Sequence, residues 1–162
     1  MNKPITILLI GIGIFFLLGC SQKNKKSGNA KAVYIKAADI LGNPRYPAFC
    51  YGGYRQNNRS AEPTIEQLKE DLGILSAMGI KLLRTYNTAQ FSQTANLLKA
   101  IRQLKEGDPN FEMYLMIGTW IECDGAWTPK ANHAAGNLKN NNAEINEAVK
   151  LANTYPDIVK MI

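Results

Sequence analysis

Residues 63–86 read PTIEQLKEDLGILSAMGIKLLRTY, and this stretch decides the fold. Pro63 blocks an earlier helical start, and Thr64 with Gln67 three residues on forms a capping box, so a helix begins there. Ile65, Leu68, Leu72, Leu75 and Met78 recur at three or four residues, which gives one apolar stripe, and Gly79 is placed to end the helix. Such a stripe needs a sheet to cover. The run Ile80–Tyr86 supplies a strand directly after it.

The same alternation continues in both directions. Upstream, Pro47–Tyr51 is a brief apolar segment running into Gly52-Gly53, a strand leading into a turn. Downstream, a second helix is expected at about Ala89–Lys105, with Phe91, Ala95, Leu98 and Ile101 on one face and Gly107-Asp108-Pro109 as its stop. Met113–Ile121 reads as a third strand, apolar enough on both faces for full burial. A loop rich in Asn, Gly and Ala covers Glu122–Asn141, a third helix capped by Asn142 runs over Ala143–Thr154, and Ile158–Ile162 begins a fourth strand.

Strands separated by helical stretches of a dozen residues or more define parallel βαβ units and an α/β class. Two architectures fit: an open doubly wound sheet and a closed eight-stranded barrel. The open sheet predicts a glycine-rich phosphate loop after the first strand, and Tyr51-Gly52-Gly53-Tyr54-Arg55 fits neither the dinucleotide nor the Walker pattern. The expectation is therefore a parallel (β/α)8 TIM barrel over residues 46–162, of which only the first half, about strands 1–4, is present. A complete barrel takes about 250 residues, whereas about 115 lie here, and a chain that ends inside an apolar strand reads as truncated.

The amino-terminus carries an address. Lys3 precedes an apolar run from Ile5 to Leu18, shorter than the ~20 residues a membrane-spanning helix needs and laid out like an export signal. Leu17-Leu18-Gly19-Cys20 resembles the bacterial lipobox, which predicts a signal peptide over 1–19 and lipidation of Cys20. An uncleaved anchor and a secreted chain with an incidental Cys20 are the alternatives. Residues 20–45 are then expected to form a flexible basic tether, since Ser21–Lys36 holds five lysines and no acidic residue. The predicted location is the bacterial cell envelope, with the membrane as a partner through the lipid.

The formal charge of +6 owes much to those lysines, so the basic balance says little about the folded part. No nucleic-acid motif or groove-patterned basic surface appears, and nucleic acid is not an expected partner. One histidine, His133, and no CxxC pair leave too few ligands for a metal site; no cofactor is expected and His133 reads as solvated. Cys50 and Cys123 lie in a compartment that permits a disulfide, and the sequence leaves their pairing open.

In a parallel barrel the chemistry sits at the carboxyl ends of the strands. Those ends read Tyr51-Gly52-Gly53-Tyr54-Arg55, Arg84-Thr85-Tyr86-Asn87 and Gly118-Thr119-Trp120-Ile121-Glu122. Aromatic faces that stack on sugar rings, with Arg, Asn and carboxylate groups for the hydroxyls, suit a carbohydrate site.

These three segments, in this order, resemble the amino-terminal half of the family 17 glycoside hydrolases, over about Ala48–Ile162. The resemblance implies a retaining enzyme that hydrolyses or transfers β-1,3-glucan on a (β/α)8 barrel, acting as a monomer on a β-glucan polysaccharide or oligosaccharide. It implies that Arg84 supports the nucleophile carboxylate through charge-assisted hydrogen bonds. It further implies substrate contacts at Tyr51, Tyr54, Tyr86, Asn87, Trp120 and Glu122, with Trp127 placed to extend the cleft or to pack on its own loop. The family's acid/base lies in a Gly-Asn-Glu segment at the end of the fourth strand and its nucleophile on a later one, so no catalytic residue is expected up to Ile162. Glu122 and Asp124, two apart at one strand end, read as substrate contacts or solvated carboxylates, because the family's pair comes from different strands. A non-catalytic carbohydrate-binding lipoprotein and a periplasmic small-molecule binding protein are the competing readings.

Overall fold

The structure, a computed structural model, describes residues 34–162. The signal segment, Cys20 and most of the lysine-rich stretch lie outside the described residues. Ten elements follow in order: α1 (Ala37–Ile40), β1 (Ala48–Cys50), α2 (Ile65–Ala77), β2 (Leu82–Arg84), α3 (Gln93–Gly107), β3 (Tyr114–Met116), β4 (Cys123–Asp124), β5 (Asn132–Gly136), α4 (Leu138–Thr154) and β6 (Val159–Met161). Among the described residues no helix is long and apolar enough to cross a membrane.

The sheet runs β1-β2-β3-β6, all parallel and in chain order, while β4 and β5, which fall between β3 and β6 in the sequence, pair with each other apart from it. Register places Ala48, Leu82 and Tyr114 in one row and Cys50, Arg84, Met116 and Met161 in another. These rows are two residues apart and share a face, whereas Leu83 and Leu115 in the row between them point to the other. On one face Leu83, Leu115, Ile117 and Ile158 form a single core with Leu68, Leu72 and Leu75 of α2, Leu97, Leu98 and Ile101 of α3, and Ala148 and Leu151 of α4. All three crossover helices thus cover the same face, where a doubly wound sheet would carry helices on both. A mixed α/β chain with four sequential parallel strands and helices on one side is consistent with part of an α/β barrel.

The opposite face is covered by the chain's own entry segment. Ile40, Leu82 and Tyr114 form a second buried cluster, joined by Ile35, Tyr46, Met116 and Met161. Packed structure therefore includes residues assigned from the sequence to the tether, because α1 brings an apolar side chain onto the sheet.

Local chemistry sets the element boundaries. The capping box at α2 forms in both directions, with Gln67 N donating to Thr64 Oγ1 at 3.2 Å and Thr64 N donating to Gln67 Oε1 at 3.0 Å. Met78, expected on the buried stripe, is the C-cap and is exposed. Helix α3 starts at Gln93 rather than Ala89, because the N–H groups of Thr88, Ala89 and Gln90 donate to Glu144 and that of Ser92 to Glu62. Helix α4 starts five residues earlier than expected, at Leu138, where the side chain of Asn137 accepts from Asn140 N. The expected loop before it contains the antiparallel ribbon β4–β5.

Candidate functional site

Strand register decides which candidate side chains meet. Arg84 ends β2 on the face of Cys50 and Met116, and its guanidinium lies 5.7 Å from the centroid of the Tyr86 ring. Among the described residues Arg84 forms no ion pair. Beyond β3, Gly118 lets two backbones touch. A Cβ there would lie 2.9 Å from Tyr86 Cα and closer still to the Thr85 carbonyl oxygen. Gly118 N also donates to Thr85 Oγ1 at 3.3 Å, so the ends of β2 and β3 are held together. Around this junction Arg84, Tyr86, Thr119, Trp120, Ile121 and Ile162 line a hollow of about 480 Å³.

Trp120 also forms the border of a second hollow, of about 260 Å³. Its indole stacks on Trp127, with ring centroids 6.0 Å apart and planes 19° from parallel. The two rings remain 40% and 74% exposed, so this apolar ledge faces solvent. Glu122 fixes it from below. One carboxylate oxygen accepts Trp127 Nε1–H at 2.7 Å, and the other accepts the side-chain amides of Asn137 at 2.8 Å and Asn140 at 2.7 Å. Those bonds, led by Asn140 and then Trp127, hold the Glu122 carboxyl below the usual range despite some desolvation.

The loops that carry the rim are tied by a residue the sequence analysis did not single out. Glu144 of α4 is 4% exposed and accepts hydrogen bonds from Thr88 N, Thr88 Oγ1, Ala89 N and Gln90 N between 2.7 and 3.0 Å. Trp120 N approaches the same carboxylate at 3.4 Å. Burial pushes this carboxyl up, but the donors from Thr88, Gln90 and Ala89 outweigh it and the net shift is downward. A signal was present: Glu144, Ala148 and Leu151 are spaced four and three apart, so an acidic residue sits on a buried helical stripe.

Other candidates are not brought to the rim. Tyr51 is 6% exposed, belongs to the helix-side core and donates its hydroxyl to Asp71 Oδ2 at 2.7 Å. Burial, followed by the Asp71 hydrogen bond, raises its pKa, which keeps the phenol protonated. Here the expected substrate contact is corrected, because Tyr51 follows Cys50 and strand alternation turns it to the opposite face. Arg55 faces α2 as well, with Asp71 Oδ1 at 2.6 Å and Glu70 Oε2 at 3.2 Å. Tyr54 sets its ring edge-on to Phe91 at 6.5 Å. Asn87 is buried, and its carbonyl accepts the Thr94 hydroxyl at 2.6 Å. Glu122 faces the second hollow, with both oxygens already engaged. Cys50 and Cys123 are free thiols; Cys123 Sγ lies 3.5 Å from Nδ1 of His133, an exposed residue of β5. No cluster of three metal-ligating side chains occurs among the described residues.

A parallel sheet with a polar and aromatic hollow at its carboxyl edge is the arrangement of a ligand-binding α/β protein. Comparison with solved structures narrows it. The chain is similar to an endo-laminarinase from Formosa Hel1_33_131, with 54% sequence identity and a TM-score of 0.74, over 78% of this chain and 32% of that one. It thus spans about a third of that protein's length. No protein-family model and no curated protein matches the chain.

Proposed function

We propose that this chain is the amino-terminal half of a (β/α)8 β-glucan hydrolase or transglycosylase of the family 17 type, moored at the cell envelope through lipidated Cys20. The observation that carries the reading is the likeness to the endo-laminarinase, in which more than half of the aligned residues are identical. The rim is compatible with it: Tyr86 and Trp120 offer ring faces, and Arg84 offers a guanidinium free of ion pairs among the described residues.

On this reading Arg84 supports a nucleophile carboxylate that lies, with the acid/base, beyond Ile162. A retaining mechanism needs two carboxyl groups about 5 to 5.5 Å apart on either side of the scissile bond. Glu122 and Glu144 are poor candidates, since each has both oxygens occupied by internal donors. The test is to give the purified 162-residue chain linear β-1,3-gluco-oligosaccharides and follow binding by calorimetry and cleavage by released reducing ends. Binding without cleavage is expected. Cleavage by this chain would overturn the assignment of the acids, and absence of binding would overturn the functional reading. For the mooring, Cys20→Ala should move the exported protein from the membrane fraction to the soluble one and abolish labelling by a fatty-acid analogue. Retention of both in the variant would sink it.

A further inference from the structure

The second hollow has a composition unlike the first. Gln90, Trp120, Glu122, Trp127, Asn140 and Glu144 contribute to its lining, and no lysine, arginine or histidine does. Both carboxylates receive only neutral donors, from indole, amide, hydroxyl and backbone groups, and neither takes part in a salt bridge. Two negative charges therefore line this hollow without a cation. Trp120 belongs to the walls of both hollows, so a chain of sugar rings leaving the Arg84 side across the indole ledge enters the second.

We propose that the hollow behind the Trp120–Trp127 ledge is a separate subsite for a neutral glycosyl unit, and that it selects against anionic glycans. The inference rests on the carbohydrate reading above and adds to it a second binding position with a charge rule. An apolar ring face accepts the C–H face of a pyranose, and Glu122 Oε2, which accepts only the Trp127 indole N–H, has a lone pair left for a hydroxyl proton. The two carboxylates repel a uronate or a sulfate ester, and no basic side chain of the lining offsets that repulsion. The downward shifts at Glu122 and Glu144 keep both charges in place at neutral pH. By contrast, the first hollow holds Arg84, so the charge rule belongs to the second alone.

The experiment uses a property of this sequence: its only two tryptophans are the ledge. Intrinsic indole fluorescence of the full 162-residue chain therefore reports on the border between the hollows. The probes are β-1,3-linked glucose trimer and hexamer and a uronate hexamer, titrated into wild type and three variants, with calorimetry in parallel. Wild type should bind the neutral hexamer more tightly than the trimer. In Trp127→Ala that advantage should fall by about five- to tenfold while trimer affinity stays constant.

Trp127→Phe keeps a ring face but loses the Nε1–H to Glu122, and should retain most of the advantage. If it behaves like the alanine variant, Trp127 acts by holding Glu122 and the stacking role fails. The uronate hexamer should bind at least about tenfold more weakly than the neutral one, and Gln90→Lys should narrow that gap. Equal affinity for neutral and anionic hexamers, or a hexamer advantage unchanged in Trp127→Ala, overturns the subsite and leaves the functional reading standing. No response to any β-glucan in either measurement overturns both.

Discussion

A Cβ at residue 118 would meet the Thr85 carbonyl and Tyr86 Cα, so Gly118→Ala forces the ends of β2 and β3 apart. Overpacking of this kind costs about 1–3 kcal/mol, and thermal denaturation should show a loss of that order. Glu144→Gln is expected to cost about 1–3 kcal/mol as well, because an amide cannot accept from every donor that converges on the carboxylate. The variant should also differ in its response to acid. Since the folded carboxyl titrates below its unfolded value, its stabilisation is complete above about pH 4.3 and is lost as pH falls through the folded value. Melts taken from neutral to acid pH should show this loss in wild type and its absence in Glu144→Gln. At this scale the placement of Arg84, Tyr86 and Trp120 beyond the strand ends is legible in the sequence, because a strand's carboxyl end can be read from its apolar run. That of Tyr51 is not. Its face depends on the register that pairs Cys50 with Arg84, and register is a property of two strands together.

Helices carry their own start signals, and these differ in legibility. Thr64 and Gln67 announced α2 because both halves of a capping box are local in sequence. Thr64→Ala should lower stability by about 1 kcal/mol, measurable as a shift in the urea midpoint with unchanged slope. The start of α3 at Gln93 is hidden from the sequence for the opposite reason. Its first four expected residues have helix-compatible side chains, but the N–H groups of Ala89 and Gln90 are claimed by a carboxylate more than fifty positions away. For α4 the sequence offers several asparagines in a row before the apolar stripe, and only the observed bond from Asn140 N to the Asn137 side chain picks one out. The ribbon β4–β5 left no mark, since alanine, glycine and asparagine carry little strand preference.

The parallel class and the order of the four strands were legible from the spacing of apolar runs, since crossover helices leave few ways to arrange them. The entry segment was read as tether because the lysines before it dominate its composition. Ile40 alone reverses that for α1, and Ile40→Ala should cost about 2–5 kcal/mol by uncovering Leu82 and Tyr114. Chemical denaturation of the variant checks this; a loss below 1 kcal/mol would mean that the segment does not stabilise the sheet.

The same segment has a directional consequence. Tyr34, where the described chain begins, lies under the Lys160 ammonium, and that ammonium also faces Tyr114, the first residue of β3. The chain is thus led in by the amino-terminal side of the sheet, while the hollows open at the carboxyl edge. The start of the described chain at Tyr34 and the hollows therefore lie toward opposite ends of the sheet. A polymer bound along the hollows would meet the edge of the sheet remote from Tyr34.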